Sequence, residues 1–450
     1  MVIANHRIVK IKKAPYTLFI LPDIPQWFVT DSQGENAAAE LLNVDNKASK
    51  LMLTENAKEE RLSMFEYFNR KLQKLEWASR NETKKLILKT LDVEVTSACN
   101  LRCLYCYNNS GLKTSNELSM QEFKDVFYEA RQRGVDTLTI SGGEPFMRKD
   151  LSCIVNSAKD LGIQNIQILT NGTLIKSSDI KWIRDLRITL QVSLDGSTAS
   201  INDIVRGKGT YKRIIKTSSS LQKNDIKMGL SCTILKPNLQ DLPRYLNIAE
   251  KFGVKFVRLG LPTLMGRALK NRFLIPSVRE LIKYFRGVFT YLENAKIRPL
   301  GSIRILEIWN LKGRISNILK RTRCAGNFGM LISSEGNIFP CFNLCKNEFL
   351  AGNVRKDSIE QVFRNSPIFR QCRKNRVDRI TKCAACEIKY FCGGGCAGRA
   401  FEYNRDMYTS DPLCPVLKSI FLNSMFSVAK YVSSSHNLIL SSKPGGSVSI

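Results

Sequence analysis

The sequence predicts an α/β protein built around a partial barrel of six β/α units, with a small domain before it and a cysteine-rich domain after it. Apolar strand-like segments alternate with amphipathic helical segments between residues 86 and 300. Short aromatic strands precede this region, and closely spaced cysteines follow it from residue 324. A chain of 450 residues has room for such an arrangement. We expect units at 1–80, 86–300 and 301–420, with a closing helix and tail at 421–450.

Composition favours a cytoplasmic metalloprotein. No apolar run reaches the ~20 residues of a membrane span, and the run Tyr16–Leu21 is too short for a signal peptide. Fourteen cysteines without a secretion signal indicate metal sites rather than disulfides. The net charge of +29 suggests an anionic partner, either a nucleic acid or an acidic peptide, unless it only reflects a basic composition.

The N-terminal 80 residues predict two strands followed by helices. Tyr16–Leu21 and Trp27–Thr30 have strand-like composition, and Glu35–Leu42 and Ala57–Leu75 have helical periodicity. This order resembles the winged-helix-like RiPP recognition element, which binds the leader of a ribosomally made peptide precursor. The alternative is an extension that only packs on the barrel.

The barrel region predicts six parallel strands joined by helices. The predicted strands are Leu91–Thr96, Asp136–Ser141, Asn165–Thr170, Ile188–Leu194, Met228–Ile234 and Phe256–Gly260. The predicted helices include Met120–Arg133, Leu151–Leu161, Tyr211–Lys223 and Leu239–Phe252. Cys153 falls in a helix and Cys232 in a strand, so both are expected to be buried thiols rather than ligands.

A loop of three cysteines follows the first barrel strand. Cys99, Cys103 and Cys106 have C-x3-C-x2-C spacing, which suits three irons of a cubane cluster and leaves one iron open. A zinc site or three unrelated thiols are the alternatives, although zinc usually takes four protein ligands. With Tyr105 before the third cysteine, the loop resembles the signature of the radical S-adenosylmethionine (SAM) enzymes.

This resemblance implies a mechanism as well as the barrel fold. The three cysteines would hold a 4Fe-4S cluster whose open iron chelates SAM. Reduction would cleave SAM to methionine and a 5′-deoxyadenosyl radical, which abstracts a hydrogen atom. His6 and His436 lie outside every motif, so histidine acid–base chemistry is not expected, and the sequence names no catalytic side chain.

Further special residues follow the next strands, on the face where barrel active sites lie. They are Gly142, Gly143 and Glu144 after the second strand, Asn171 after the third, and Ser193 and Asp195 at the end of the fourth.

Gly142, Gly143 and Glu144 resemble the start of the GGEP motif of the family, although a glycine pair alone is usually a turn. Its glycines would let the backbone approach a ligand, and Glu144 would bind the SAM ammonium. Asn171, Ser193 and Asp195 are candidate ribose and methionine contacts. Arg206 resembles the arginine that pairs with the SAM carboxylate; the alternative is a solvated surface arginine.

The cysteines of the C-terminal third resemble the SPASM domain of radical SAM peptide maturases, and zinc knuckles are the alternative. The resemblance implies an outer auxiliary cluster and an inner one. The outer ligands would be Cys383, Cys386, Cys392 and Cys414, and the inner ones Cys324, Cys341 and Cys396. For the fourth inner ligand, Cys345 is the nearest candidate in the sequence and Cys372 is a weaker one, and an open iron is equally compatible. Pro415–Ser433 predicts the closing helix, and the tail around 443–447 is expected to fray.

Three classes of function follow. The first is a radical SAM/SPASM enzyme that modifies a ribosomally made peptide, by thioether or other crosslink formation, with a precursor peptide and a flavodoxin-type or other small electron donor as partners. An anaerobic sulfatase-maturating or a tetrapyrrole-tailoring enzyme is the second. The third is a basic, metal-stabilised module that binds nucleic acid, against which the barrel motifs argue. No membrane partner is expected.

Overall fold

The computed structural model describes residues 7–23, 26–30, 86–294, 304–305, 322–323, 326–432 and 438–440. The predicted helices Glu35–Leu42 and Ala57–Leu75, the predicted cluster ligand Cys324 and the tail at 443–447 therefore lie outside the described residues.

The described chain begins with three of the four strands of an antiparallel sheet. These strands are β1 (Val9–Lys13), β2 (Tyr16–Leu21) and β3 (Gln26–Thr30), paired in that order. Both predicted strands are confirmed, and β1 was not predicted. Leu18, Ile20 and Trp27 are buried and belong to the same hydrophobic core as the barrel. This sheet is therefore packed into the main body of the protein.

The barrel consists of six parallel strands in sequence order. They are β4 (Thr90–Glu94), β5 (Thr137–Ser141), β6 (Asn165–Thr170), β7 (Thr189–Ser193), β8 (Met228–Thr233) and β9 (Phe256–Gly260). The helices are α1 (Met120–Gln132), α2 (Leu151–Asp160), α3 (Ser177–Asp185), α4 (Ala199–Arg206), α5 (Thr210–Lys223), α6 (Leu242–Lys251) and α7 (Val278–Asn294). The α/β fold class is confirmed, and each predicted strand matches one of these six.

The alternation of β4 shows how the sequence builds the barrel. Leu91 and Val93 are fully buried in the core that α1 also joins. Successive side chains of a strand point to opposite faces, so Asp92 and Glu94 face the barrel interior. Burial raises the pKa of Asp92 to about 6 and that of Glu94 to about 7. The barrel interior therefore contains carboxyl groups that are poorly solvated.

The cysteine-rich segment extends the barrel sheet. The short strand β10 (Arg304–Ile305) pairs with β9, and β11 (Gly329–Ile332) pairs in parallel with β4. The antiparallel strands β12 (Asn337–Phe339) and β13 (Gly352–Asn353) complete a ten-stranded sheet. Helices α8 (Ile359–Asn365), α9 (Pro367–Lys374), α10 (Thr381–Ala384), α11 (Lys389–Cys392) and α12 (Ala397–Asn404) follow. The segment is thus joined to β4, which precedes the three-cysteine loop.

The last described elements of the chain contact the first described strands. Helix α13 (Cys414–Val432) matches the predicted closing helix, crosses the expected boundary at residue 420, and contacts α7 as well as β2 and β3. Strand β14 (Leu438–Leu440) then pairs antiparallel with β3. Within the described ranges, no helix is long and apolar enough to cross a membrane.

Two cysteines outside the motifs were expected to be buried. Cys232 is buried, as predicted, but Cys153 is exposed, and that prediction was wrong. Cys153 lies on α2 next to Ile154 and Val155, which take the buried face of this amphipathic helix. One step along a helix turns a side chain by about 100°, so the thiol points toward solvent.

Candidate active site and metal centres

The three-cysteine loop leaves the end of β4 and turns back on itself. The Cys99 N–H donates to Gly111 O at 2.9 Å, and the Cys106 N–H donates to Cys103 O at 3.3 Å. All three thiols are half-buried. Burial raises the pKa of Cys103 to about 11, with the neighbouring Cys106 and Cys99 adding to the rise. Iron binding would therefore displace protons from these thiols.

The cysteines do not form a site for a single ion. In the part of the chain that the structure describes, no three His, Cys, Asp or Glu side chains converge on a point that could hold one metal ion. A cubane cluster has a different requirement, because each thiolate binds its own iron.

Gly142 and Gly143, at the end of the second barrel strand, pack closely against the backbone that leads into the cysteine loop. A Cβ at Gly142 would lie 2.3 Å from Thr96 O, and a Cβ at Gly143 would lie 2.0 Å from Ala98 O. The Gly143 N–H donates to Thr96 O at 2.7 Å. The close approach that requires glycine here is therefore to the backbone leading into Cys99, whereas the sequence suggested an approach to a ligand. A role for Gly142 and Gly143 in SAM binding stays a prediction.

Glu144 is fully buried and ties two strand ends together. Its Oε1 accepts from Thr170 Oγ1 at 2.7 Å, and its Oε2 accepts from the Asn171 N–H at 2.7 Å. Burial raises the pKa of Glu144 to about 7 despite these hydrogen bonds. A carboxylate oxygen can accept more than one hydrogen bond, so this donor set fits an added ammonium group. The buried carboxylate lacks a directly paired cation among the described residues.

Asn171 links the third strand end to the cysteine loop. Its Nδ2 donates to Asn100 Oδ1 at 2.9 Å, and the Asn100 Nδ2 donates to Thr173 Oγ1 at 2.9 Å. Thr173 in turn donates to Asn171 Oδ1 at 2.7 Å. Sequence reasoning missed Asn100 and Thr173, although both lie inside the recognised segments. The amide of Asn171 therefore anchors the loop in this structure.

Asp195 and Arg206 form a buried ion pair with Tyr105 beside it. Arg206 Nε lies 2.7 Å from Asp195 Oδ2, and Tyr105 donates its hydroxyl hydrogen to the same oxygen. The Thr233 N–H donates to Asp195 Oδ1 at 2.8 Å. Burial alone would lower the pKa of Arg206, but Asp195 raises it well above its ordinary value. Both predicted SAM contacts thus bond within the protein, whereas Ser193 is half-exposed.

The segment after β9 clamps the cysteine loop and was not found from the sequence. Arg267 Nε donates to Cys103 O at 2.8 Å, Arg267 Nη1 donates to Ser110 O at 2.9 Å, and the Arg267 N–H donates to Cys106 O at 2.9 Å. Asn271 Nδ2 donates to Leu104 O at 2.9 Å. The only sequence signal was position, because this segment follows a barrel strand on the face that carries the cysteines.

Glu94 connects the loop to the cysteine-rich domain. Its Oε1 accepts from Tyr107 Oη at 3.2 Å and from Asn108 Nδ2 at 2.9 Å. Phe342, in the cysteine-rich domain, packs edge-on against Tyr107 with 6.0 Å between ring centroids. Burial, and then the charge of Glu94, raise the pKa of Cys345 to about 12. The charge of Glu94 therefore acts on the Cys345 thiol.

The four cysteines of the predicted outer cluster come together. Cys383, Cys386, Cys392 and Cys414 line one small cavity, which the side chains of Lys382, Lys389 and Lys418 also line. Burial raises the pKa of Cys392 to about 12, and the other three cysteines contribute to the rise. Four thiols and a rim of lysines suit an anionic cluster with thiolate ligands.

The predicted inner cluster is described in part, because Cys324 lies outside the described residues. Asn343 Nδ2 donates to Cys396 Sγ at 3.3 Å, and the Cys396 N–H donates to Asp411 Oδ2 at 2.7 Å. Cys341 packs against an apolar cluster that contains Cys372, which is 1% exposed.

Comparisons with known proteins agree with this geometry. Residues 93–249 match the model of the Radical SAM superfamily, and residues 324–387 match the SPASM iron–sulfur cluster-binding domain. The AdoMet-dependent heme synthase of Methanosarcina barkeri is 28% identical over 340 residues, covering 71% of this chain and 94% of the relative. The mycofactocin maturase of Mycobacterium ulcerans is 28% identical over 335 residues, covering 71% and 86%. The structure of Streptococcus suis SuiB bound to its precursor peptide SuiA has the same fold, with a TM-score of 0.61, 16% identity, and coverage of 90% of this chain and 100% of that one.

The fold is a parallel barrel with three cysteines in one loop at its strand ends. A second cysteine-rich domain is joined to the barrel sheet. This combination defines an iron–sulfur enzyme. Residues 93–249 match the radical SAM superfamily and residues 324–387 match a SPASM domain, and together with the maturase relative these matches support a radical SAM/SPASM peptide maturase. Its cofactors are SAM and 4Fe-4S clusters.

Proposed function

We propose that this enzyme modifies a ribosomally made precursor peptide by a radical reaction that forms a thioether or another crosslink. The observation that carries the proposal is the antiparallel sheet β1–β3, which lies against the SPASM segment. Arg7 Nη2 donates to Ala385 O at 3.0 Å, and Lys389 pairs with Asp23 at 3.5 Å. An extended peptide can add to such a sheet at the outer edge of β1, or at the edge of β3 if it displaces β14.

Similarity to other enzymes supports a peptide substrate. One relative is named a mycofactocin maturase, and the SuiB structure contains the precursor peptide SuiA. The charge of +29 favours an acidic leader. We also propose an electron donor of flavodoxin or similar type, because SAM cleavage needs a low-potential electron. A cytoplasmic location completes the proposal.

The ligand assignment follows the cysteine sets. Cys99, Cys103 and Cys106 are proposed to hold the SAM-binding cluster, and SAM supplies the radical chemistry when it is bound there. Glu144 and Ser193 are proposed to contact SAM directly. Asn171, Asp195 and Arg206 are proposed to hold the loop in the geometry that the cluster needs.

The outer auxiliary cluster is proposed on Cys383, Cys386, Cys392 and Cys414. The inner one is proposed on Cys324, Cys341 and Cys396 with one further ligand. Cys372 belongs to the apolar cluster against which Cys341 packs, whereas Cys345 is outside that cluster and the charge of Glu94 adds to the rise in its pKa. This contrast favours Cys372 over Cys345 as the further ligand.

The test uses the full chain, reconstituted with iron and sulfide without oxygen. We expect about three cubane clusters, roughly eleven to twelve irons, by thiolate counting. Reduced enzyme should convert SAM to 5′-deoxyadenosine and methionine, and a precursor peptide encoded in a neighbouring reading frame should change mass. Stoichiometric zinc with almost no iron, or no 5′-deoxyadenosine from reduced enzyme, would contradict the proposal.

A tetrapyrrole substrate is the second candidate, because the matched heme synthase relative is covered over 94% of its length. Incubation of the reduced enzyme with a porphyrin substrate would decide between the two. Decarboxylated porphyrin, with the precursor peptide unchanged, would replace the peptide proposal.

A further inference from the structure

Arg323 is a buried cation next to the auxiliary cysteines. Its side chain is only 2% exposed. Nη1 donates to Met407 O at 2.6 Å, and Nη2 donates to Gly394 O at 2.6 Å and to Thr409 O at 2.5 Å. Its Nε is buried and has no hydrogen-bond acceptor among the described residues.

The position of Gly394 puts Arg323 between the two cysteine sets. Gly394 lies midway between Cys392, in the outer set, and Cys396, in the inner set. A Cβ at Gly394 would lie 3.1 Å from Arg323 Nε, so the guanidinium packs directly on this connecting turn. The glycine φ of +81° allows the turn to bend around it. Arg323 is therefore shared by the residues of both proposed clusters.

No carboxylate neutralises this arginine directly within the described ranges. Asp411, the carboxylate with the largest electrostatic effect on Arg323, accepts from Arg399 Nη2 at 2.8 Å and from the Cys396 N–H at 2.7 Å. Burial lowers the pKa of Arg323, and Asp411 followed by Cys383, Cys396 and Cys392 oppose that effect. A buried charge without a partner is costly, so its surroundings must supply negative charge.

We propose that Arg323 is the shared counter-charge of the two auxiliary clusters and raises their reduction potentials. This inference rests on the cluster assignment made under the proposed function. Thiolate-ligated cubane clusters are anionic and would supply the negative charge that the described side chains lack. The carbonyl hydrogen bonds fix the guanidinium in place, and its charge acts on both clusters.

The sign of the effect follows from the charge of the electron. Each cluster takes up one electron when it is reduced and becomes more negative by one charge. A nearby cation stabilises the reduced form more than the oxidised form, and net charge is one of the factors that set cluster potentials. Removing the cation should therefore make both clusters harder to reduce.

Two variants separate charge from hydrogen bonding. Arg323→Lys keeps the charge but replaces the planar fork of five N–H donors by three ammonium donors, and Arg323→Gln keeps an amide donor without the charge. Both are made in the full chain with Cys99, Cys103 and Cys106 replaced by Ala, so that only the auxiliary clusters contribute. Iron content and the midpoint potentials are measured by reductive titration followed by electron paramagnetic resonance.

We expect Arg323→Gln to lower the equilibrium constant for reduction of both clusters about tenfold, or about 59 mV for a one-electron couple, and Arg323→Lys to stay close to the parent. Lys418→Met is the matched control. Lys418 lines the outer cavity only and is paired with Glu387 at 2.7 Å, so its loss should affect the outer cluster alone, and less.

Each outcome decides the inference. Loss of both clusters in the glutamine variant, with retention in the lysine variant, would also support a required charge. Unchanged potentials in Arg323→Gln, or equal loss of iron in both variants, would overturn the inference and leave Arg323 as a structural hydrogen-bond donor. Absence of iron from the parent would instead refute the cluster assignment, so the two failures are distinguishable.

Discussion

At the scale of single residues, Glu144 combines two functions in one buried carboxylate. It holds the end of β6 through Thr170 and Asn171, and burial raises its pKa to about 7. A carboxyl group with this pKa is mostly neutral at pH 6 and mostly ionised at pH 7.5. An approaching ammonium favours the ionised form, so SAM binding should depend on this titration.

We predict that SAM binds several-fold more tightly at pH 7.5 than at pH 6, because only the ionised Glu144 pairs with the SAM ammonium. Glu144→Gln should weaken binding at pH 7.5 and remove most of the pH dependence. Equilibrium binding to reconstituted enzyme at both pH values measures this. A glutamine variant with the parent's pH profile would show that Glu144 only positions the Asn171 turn.

We also predict that Cys372→Ala lowers the iron content by up to one auxiliary cluster, whereas Cys345→Ala leaves it unchanged. The reason is that Cys372 belongs to the apolar cluster against which Cys341 packs, whereas Cys345 does not. Iron analysis and the resonance spectrum of the reduced clusters provide the measurement. The opposite pattern would assign Cys345, and no loss in either variant would favour an iron with an open position.

At the scale of secondary-structure elements, the three-cysteine loop is held by the loops that follow other barrel strands. The segment after β9 supplies Arg267 and Asn271, which donate to carbonyl oxygens of the loop. The loop after β6 supplies Asn171, which donates to Asn100. A site with so many anchors is pre-organised for a cluster whose ligands must keep fixed positions.

We predict that Arg267→Ala destabilises the SAM-binding cluster more than the auxiliary ones. The variant loses hydrogen bonds from a charged donor to Cys103 O and Ser110 O, each contributing about 1.5–3 kcal/mol. Faster loss of one cluster's iron to a chelator, and less 5′-deoxyadenosine, are the expected results. Lys270→Ala, an exposed neighbour in the same segment, is the control. Equal iron loss from both variants would mean that the clamp is not needed.

At the scale of the whole molecule, the two ends of the described chain meet in one sheet. An extended leader peptide that adds as a strand would pair with the edge of β3 around Trp27–Thr30. That edge is paired with β14, where Ile439 lies opposite Val29. A leader that binds at this edge must displace the chain's own strand. The apparent affinity is therefore the intrinsic affinity multiplied by the fraction of molecules in which the edge is free.

We predict that deletion of residues 433–450 increases precursor affinity several-fold, because it removes the competing strand while keeping α13. Fluorescence anisotropy with a labelled leader measures the affinity. Ile439→Pro should act in the same direction, since proline cannot donate to the ladder. SAM cleavage without peptide should not change in either variant. Unchanged or weaker leader binding would exclude β3 as the docking edge.

Deletion of residues 1–80, by contrast, would not isolate leader recognition. Leu18, Ile20 and Trp27 are buried in the core shared with the barrel. Their removal would expose a large apolar surface on α13 and its neighbours, at a cost of several kcal/mol. The short C-terminal deletion is therefore the cleaner experiment.

The sequence by itself determined the elements and the cysteine sets. The six barrel strands follow from apolar periodicity, and the C-x3-C-x2-C loop follows from spacing within eight residues. Both signals are local, since side-chain direction repeats over a few residues and the ligands of one loop are covalently close. The polar residues Glu144, Asn171 and Asp195 could also be found, because parallel strand ends meet on one face.

Only the tertiary structure decided which partners these residues have. Arg267 reaches Cys103 across 164 positions, and Arg323 reaches Gly394 across 71. Neither arginine has a local pattern that distinguishes it from the many other basic residues of this chain. Likewise, Arg206 was expected to meet a carboxylate of SAM, and in the structure it meets Asp195. The residue type alone gives the charge of a side chain. Which opposite charge it meets depends on how distant segments of the chain pack together, and packing is a property of the whole fold.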